Sequence, residues 1–215
     1  MSPARAPADL KAWMGLHLDP LDEAAPVNGP ALRSDVDLNP GYRFPDAPLV
    51  PAAVLVALVE REAGLSVILT RRSDTLRAHT GQTALPGGRR DPGEAAWQTA
   101  LREAREEIGL EPELVSLVGL STPYRTGTNY LITPVVGFVT PGFTLTPNPD
   151  EVADIFETPF GFLMDPASYQ EQERELPSGE RRRFYAATHD DRYIWGATAG
   201  VLRALYERLY GAAVA

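Results

Sequence analysis

The 215-residue sequence predicts an α/β protein, with a mixed β-sheet sandwiched between α-helices, and three stretches carry that expectation. Two β-rich runs, AAVLVALV from Ala52 and SVILTR from Ser66, are separated by a turn around Gly64. The next stretch sets Ala96, Trp97, Ala100, Leu101, Ala104 and Ile108 at helical spacing, with Gly109 behind them as a terminator. Near the end, Thr198, Val201, Leu202, Leu205 and Leu209 make one face of a closing helix.

Taken in chain order, residues 1–50 differ from the rest. Leu10, Trp13 and Met14 share the face of a short helix beginning at Asp9, after which prolines at 20, 26, 30, 40, 45 and 48 exclude long helices and central strands. This reads as an extended arm packed on one domain, residues 51–215. Covering an edge of the core is its expected role, with contacts in a homodimer the alternative. The two strands lead through a loop to Gly88, then to a helix opened by Asp91, Pro92 and Gly93. Strands follow near Leu114–Leu120 and Ile132–Val139, where Pro134 points to an edge or a bulge. A hairpin turning at Pro177, Ser178 and Gly179 returns along RRRFYAA before the closing helix. No repeat, low-complexity tract or second domain is visible.

Composition narrows the function classes. A net charge of -9 and a pI near 4.9 argue against general nucleic-acid binding, which needs a basic face. Cysteine is absent, so disulfides, thiolate metal sites and a thiol nucleophile are excluded. With no signal pattern and no apolar run of about 18 residues, the expectation is a soluble cytoplasmic protein with no membrane partner.

Residues 88–110, GRRDPGEAAWQTALREAREEIGL, carry the chemistry. Gly87 and Gly88 allow a loop to bring its carbonyls close to an ion or ligand. On the helix that follows, Glu103 and Glu107 stand four apart, with Glu106 on the adjoining flank. Arg102, four before Glu106, is placed to hold that carboxylate and leave the others to a cation. Carboxylates so close repel one another, and a divalent ion removes the penalty; hard oxygen donors of this kind suit Mg²⁺ or Mn²⁺. Glu and Arg four apart on a helix more often form only a solvated face. The joint spacing decides otherwise: Gly88, Glu94, Arg102, Glu103, Glu106, Glu107 and Gly109 are seven fixed identities, a coincidence on the order of 10⁻⁸ per window.

This pattern closely resembles the Nudix box, the signature of hydrolases that cleave nucleoside diphosphates linked to another group. The resemblance implies the Nudix fold, metal-binding roles for Glu103, Glu106 and Glu107, an orienting role for Arg102, and a backbone ligand near Gly87 beside the loop glycine Gly88. Glu94, apart from the acid cluster, is expected to brace the loop. Ala104 replaces the family's usual larger aliphatic residue, a change of core volume rather than chemistry.

A second stretch, ILTRRSDTLRAHTGQTALPGG, is similar to the motif of the coenzyme A pyrophosphatase branch at Leu69, Thr70, Ser73, Arg77, Gly81, Pro86, Gly87 and Gly88, and departs from it at Arg72 and Leu85. PDEVADIF and YIWGATAGVLRAL also resemble that branch. The implied reaction is hydrolysis of coenzyme A to 4′-phosphopantetheine and adenosine 3′,5′-bisphosphate by metal-activated water. Rival readings are an ADP-ribose or other nucleoside diphosphate hydrolase, and a nucleotide sensor without turnover. Glu151 is read either as a further ligand or general base or as a surface acid.

Between Arg71 and Arg90 five arginines face a single aspartate, a local excess suited to a polyanion. Arg72 and Arg77 are candidates for the 3′-phosphate, and Gly81 shares their substrate loop. Arg89 and Arg90 are divided between phosphate contact and solubility. His79 is expected to order the loop, Trp195 to be core rather than a base-stacking ring, and His17 and His189 to lie at the surface. Tyr124, Arg125 and Tyr130 sit in a polar loop, with a place in the pocket left open.

Overall fold

The run VPAAVLVALVER can bury both of its faces, and the structure uses it as the centre of the sheet. A computed structural model describes residues 7–22, 33–73, 81–176 and 179–211. Strand β2 (Val50–Arg61) pairs in parallel with β8 (Tyr130–Val139) along ten residues of each and antiparallel with β3 (Gly64–Arg72). Ala53, Leu55, Ala57 and Val59 pack with Ala100, Ala104 and Ile108 of helix α2 (Ala96–Ile108). The alternate residues Val56 and Leu58 pack against α1 (Pro7–Gly15), α3 (Phe160–Leu163) and α4 (Gly196–Tyr210), through Met14, Leu163, Leu202 and Leu205. The period of two along β2 thus feeds two cores, with the mixed sheet between helices as expected. Burying each large aliphatic side chain stabilises the fold by about 1.5–3 kcal/mol.

Among the described residues the main sheet has nine strands, completed by β1 (Arg33–Ser34), β4 (Thr83–Ala84), β5 (Gly87–Arg89), β6 (Val115–Leu120), β7 (Tyr124–Arg125) and β9 (Val152–Pro159). Strands of two or three residues are too short for a period to show, so β1, β4, β5 and β7 have no sequence signal of their own. A second sheet is formed by β10 (Gln170–Glu175), β11 (Arg181–His189) and β12 (Arg192–Trp195), all antiparallel. Its hairpin turns where the sequence indicated, with the Gly179 N–H donating to the Leu176 carbonyl at 2.8 Å; Pro177 and Ser178 lie outside the described residues.

Three local expectations change. Helix α1 begins at Pro7 rather than Asp9. Asp91–Glu94 forms a turn, and α2 begins only at Ala96, where the Gln98 side chain accepts from the Ala95 N–H at 2.8 Å. Pro134 is not on an edge: β8 is paired on both sides. Its carbonyl accepts from the Ser121 N–H at 2.8 Å, so its nitrogen points to that same outer side, in the gap where the partner changes from β7 to β6. No ladder bond is lost there.

The described residues before β2 are tied to the rest of the chain. Asp19 and Leu120 exchange two backbone hydrogen bonds, β1 pairs in parallel with β7, and the Arg125 guanidinium lies 3.6 Å from the centre of the Phe44 ring. Among the described residues no helix is long and apolar enough to cross a membrane.

Candidate active site

Helix α2 lies along β5, and the two glycines of β5 make room for its carboxylates. Gly87 has φ 155°, and a Cβ there would collide with the Ala53 carbonyl and Val54. At Gly88 a Cβ would come within 2.6 Å of the Glu103 carboxylate. The Gly87 N–H donates to Glu107 Oε2 at 3.1 Å. Glu103 and Glu107 therefore face the same two-residue stretch of backbone, one turn apart on the helix. Gly109 ends α2 in the left-handed conformation, with its N–H donating to the Arg105 carbonyl, which fixes where Glu107 stops.

Arg102 organises the acids more widely than expected. Its Nε donates to Glu94 at 2.8 Å and its Nη1 to both Glu103 at 2.9 Å and Glu106 at 3.0 Å, while Nη2 reaches the Arg89 carbonyl. Glu103 is thus not left clear of Arg102. Glu94 also accepts from the Asp91 N–H and the Thr99 hydroxyl, the bracing role expected of it, and the Arg102 hydrogen bonds chiefly hold its pKa down to about 2.

Burial separates the three clustered glutamates. Glu106 is exposed, Glu103 half-buried and Glu107 almost fully enclosed at 4% exposure. Burial pushes the Glu107 carboxyl up to about 7, the Gly87 N–H opposing and the charges of Glu103 and Glu151 assisting the rise. Burial raises Glu103 as well, against the pull of Arg102. Glu151, whose carbonyl accepts from the Ser73 N–H at 2.8 Å, is close enough to act on both.

Gly87, Gly88, Arg72 and Arg89 also form part of the wall of a cleft of about 880 Å³. Seven arginines and three carboxylates line it, in a chain that is acidic overall. Arg72 Nη1 lies 4.0 Å from Glu107 Oε1, and its buried Nε has no hydrogen-bond partner among the described residues.

A model of the NUDIX domain matches residues 49–184. The chain is 38% identical to the Nudix hydrolase NudL of Photorhabdus laumondii over 74% of its length and 84% of that protein's. It is 39% identical to NudL of Cronobacter sakazakii over 72% and 80%. The chain belongs to the Nudix family. Among solved structures it also matches the MutT protein of Methanosarcina mazei, at 18% identity and a TM-score of 0.48 over 80% of this chain and 99% of that one. As a Nudix hydrolase it acts on the diphosphate linkage of nucleoside diphosphate derivatives, and enzymes of this family use divalent metal ions.

Among the described residues no three acidic or histidine side chains enclose one point, and Arg102 donates to both Glu103 and Glu106. The donor set still fits an ion: a nearly enclosed carboxylate at Glu107 without a full salt bridge, and a second at Glu103 facing the next residue of the same strand.

The other expected residues are placed unevenly. Gly81 lies in the turn before β4, off the cleft wall, and Arg77 and His79 lie outside the described residues. Arg90 serves the loop, its Nη2 bonding the Glu94 carbonyl. Tyr124 and Tyr130 line the cleft, whereas Arg125 is spent on Phe44 and Asn129. Trp195 is only half-buried and lines the cleft, unlike the core residue expected. His17 and His189 are partly covered, by Trp13 and Phe162 respectively. Sequence reasoning missed Arg174 and Arg182, and with them the second sheet's share of the wall. RRRF was read only as a strand; its three consecutive arginines were the available signal.

Proposed function

We propose that this Nudix hydrolase cleaves coenzyme A and its derivatives to 4′-phosphopantetheine and adenosine 3′,5′-bisphosphate. The observation that carries the reading is a cleft rich in arginine on both the β3–β5 side and the second-sheet side, as a substrate with a diphosphate and a separate phosphate requires. The upstream stretch Ile68–Gly88, with its likeness to the coenzyme A branch, feeds directly into this wall.

In the proposed reaction Glu103, Glu106, Glu107 and the Gly87 carbonyl would hold Mg²⁺ or Mn²⁺. The chemistry such an ion would supply there is neutralisation of diphosphate charge and a lowered pKa for a water. Arg72 and Arg89 bind diphosphate oxygens. A carboxylate oxygen of Glu151 accepts the proton of the water as it attacks phosphorus, and the anhydride P–O bond breaks. Arg102 keeps the helix acids in register, with Glu94 bracing it from the loop.

The test is a hydrolysis panel of coenzyme A, dephospho-coenzyme A, ADP-ribose and a dinucleoside polyphosphate, each with Mg²⁺ or Mn²⁺ and with chelator. The highest kcat/KM on coenzyme A, with both phosphorylated products formed only with metal, is the expected result. Faster turnover of ADP-ribose would overturn the choice of substrate, and metal-dependent binding without products would favour a sensor.

A further inference from the structure

The second sheet presents two arginines where a strand pair usually avoids like charges. Arg174 of β10 and Arg182 of β11 are directly opposed in the antiparallel register, and both line the cleft. Like charges so placed repel, a cost that an anion between them would remove. Arg182 has neighbours to steady it: its guanidinium lies over the Tyr42 ring at 4.2 Å and beside Gly127, in the field of the half-buried Asp35. Arg174 has no carboxylate within salt-bridge distance among the described residues; its contact is the Trp195 ring, 5.6 Å from guanidinium to centroid.

Trp195 is held in place by its neighbours. Phe184 and Tyr193 flank it at 5.2 and 6.3 Å between ring centres, and Gly196, at φ 62°, turns the chain from β12 into α4 immediately behind it. A half-buried indole fixed on two sides, beside a pair of opposed guanidinium groups, matches a nucleoside that carries a phosphate separate from the diphosphate. The ring offers a stacking surface and the arginines bind the anion.

We propose that Trp195, Arg174 and Arg182 form a subsite for the base and the separate phosphate monoester of the nucleotide half of the substrate. This rests on the coenzyme A reading above and refines it: Arg72, next to Glu107, is left to the diphosphate, and recognition of the remote phosphate passes to the second sheet.

The subsite is tested by equilibrium titration of the whole chain, in chelator, with adenosine 3′,5′-bisphosphate and with adenosine 5′-monophosphate. The wild type should bind the bisphosphate about tenfold or more tightly than the monophosphate, and Arg174→Ala or Arg182→Ala should largely remove that ratio. Trp195→Ala should weaken both ligands about tenfold, and Trp195→Phe should restore them to within about threefold. Arg181→Ala is the control for charge alone, since Arg181 pairs with Glu173 and does not line the cleft; both affinities should stay as in the wild type. An unchanged ratio in Arg174→Ala, or an equal loss in Arg181→Ala, overturns the subsite. The two readings fail separately. If coenzyme A is hydrolysed while the ratio ignores Arg174, the subsite alone is wrong; if another diphosphate is preferred while the Arg174-dependent ratio persists, the subsite stands and the substrate changes.

Discussion

The two sides of the cleft are built in opposite ways. One side takes Gly87 and Gly88 from β5, against which Glu103 and Glu107 of the helix that follows are packed, so its geometry comes from one contiguous stretch of chain. The other side gathers Asp35 from the arm, Tyr124 from a two-residue strand, and Arg174, Arg182 and Trp195 from a separate sheet. Chemistry contiguous in the chain announces itself by spacing. Chemistry assembled from distant segments does so only through the fold, and that is the side on which selection among nucleotides is expected to depend.

The sharpest way to break this contrast is at Glu107. Glu107→Gln keeps the shape and an acceptor for the Gly87 N–H but removes the charge proposed to hold the ion, so kcat should fall by at least about 10²-fold on every substrate. The fold should not suffer. Because the folded pKa of Glu107 is raised to about 7, its contribution to stability is present below the ordinary carboxylate range and lost as pH rises through 7. At pH 8 in chelator the variant should therefore melt no lower than the wild type. A near-wild-type rate in Mg²⁺ would remove Glu107 from the mechanism.

Gly88→Ala probes the same wall through its backbone. The added Cβ would stand 2.6 Å from the Glu103 carboxylate, so Glu103 must move, and roughly 10- to 100-fold in kcat should go with it. Because the added group meets only the free end of the flexible Glu103 side chain, the stability loss should stay below about 1 kcal/mol, measured by denaturant titration. Unchanged kcat would mean that the position of Glu103 is not critical.

These two changes fall on residues that the sequence already marked, and the pattern of success has a physical basis. The apolar stripe of α2, the doubly buried β2, the left-handed Gly109 and the bracing by Glu94 are all local consequences of period, burial or hydrogen-bonding capacity. Arg102 was read as a partner of Glu106 because helical spacing reveals neighbours four apart. Its bonds to Glu103, Glu94 and the Arg89 carbonyl depend on the loop folding back over the helix. Trp195 looked like core because an aromatic before an amphipathic helix usually is; only the second sheet turns it into the cleft. Pro134 pointed to an edge or a bulge because composition does not show where one partner strand ends and another begins.

Arg72 lines the cleft beside Glu107 and tests the division between the two sides. Its guanidinium is 4.0 Å from Glu107, so Arg72→Ala should lower kcat/KM on coenzyme A and dephospho-coenzyme A alike, by about ten- to a hundredfold for a lost charge-assisted phosphate contact. A loss confined to coenzyme A would return the remote phosphate to Arg72 and weaken the division of labour between the sides.

The smallest expected effect concerns the loop brace, and it appears in the response to acid. Glu94 has its folded pKa lowered to about 2, chiefly by Arg102, against an ordinary value of 4.5. A lowered carboxylate pKa contributes stability that is present above the unfolded value and lost as pH falls toward the folded one. Between pH 4.5 and 2 the wild type should therefore lose more of its melting temperature than Glu94→Gln does, the two converging near pH 2 while the variant is the less stable at pH 7. The side chain is partly open to solvent, so screening keeps the difference modest. Because Glu94 reaches the acids only through Arg102, its loss should cost less activity than Glu107→Gln. Parallel melting curves across this pH range would show that the Arg102 bonds contribute little to stability, leaving the loop to be held by the Gly87–Glu107 contact and the pairing of β5 with β2.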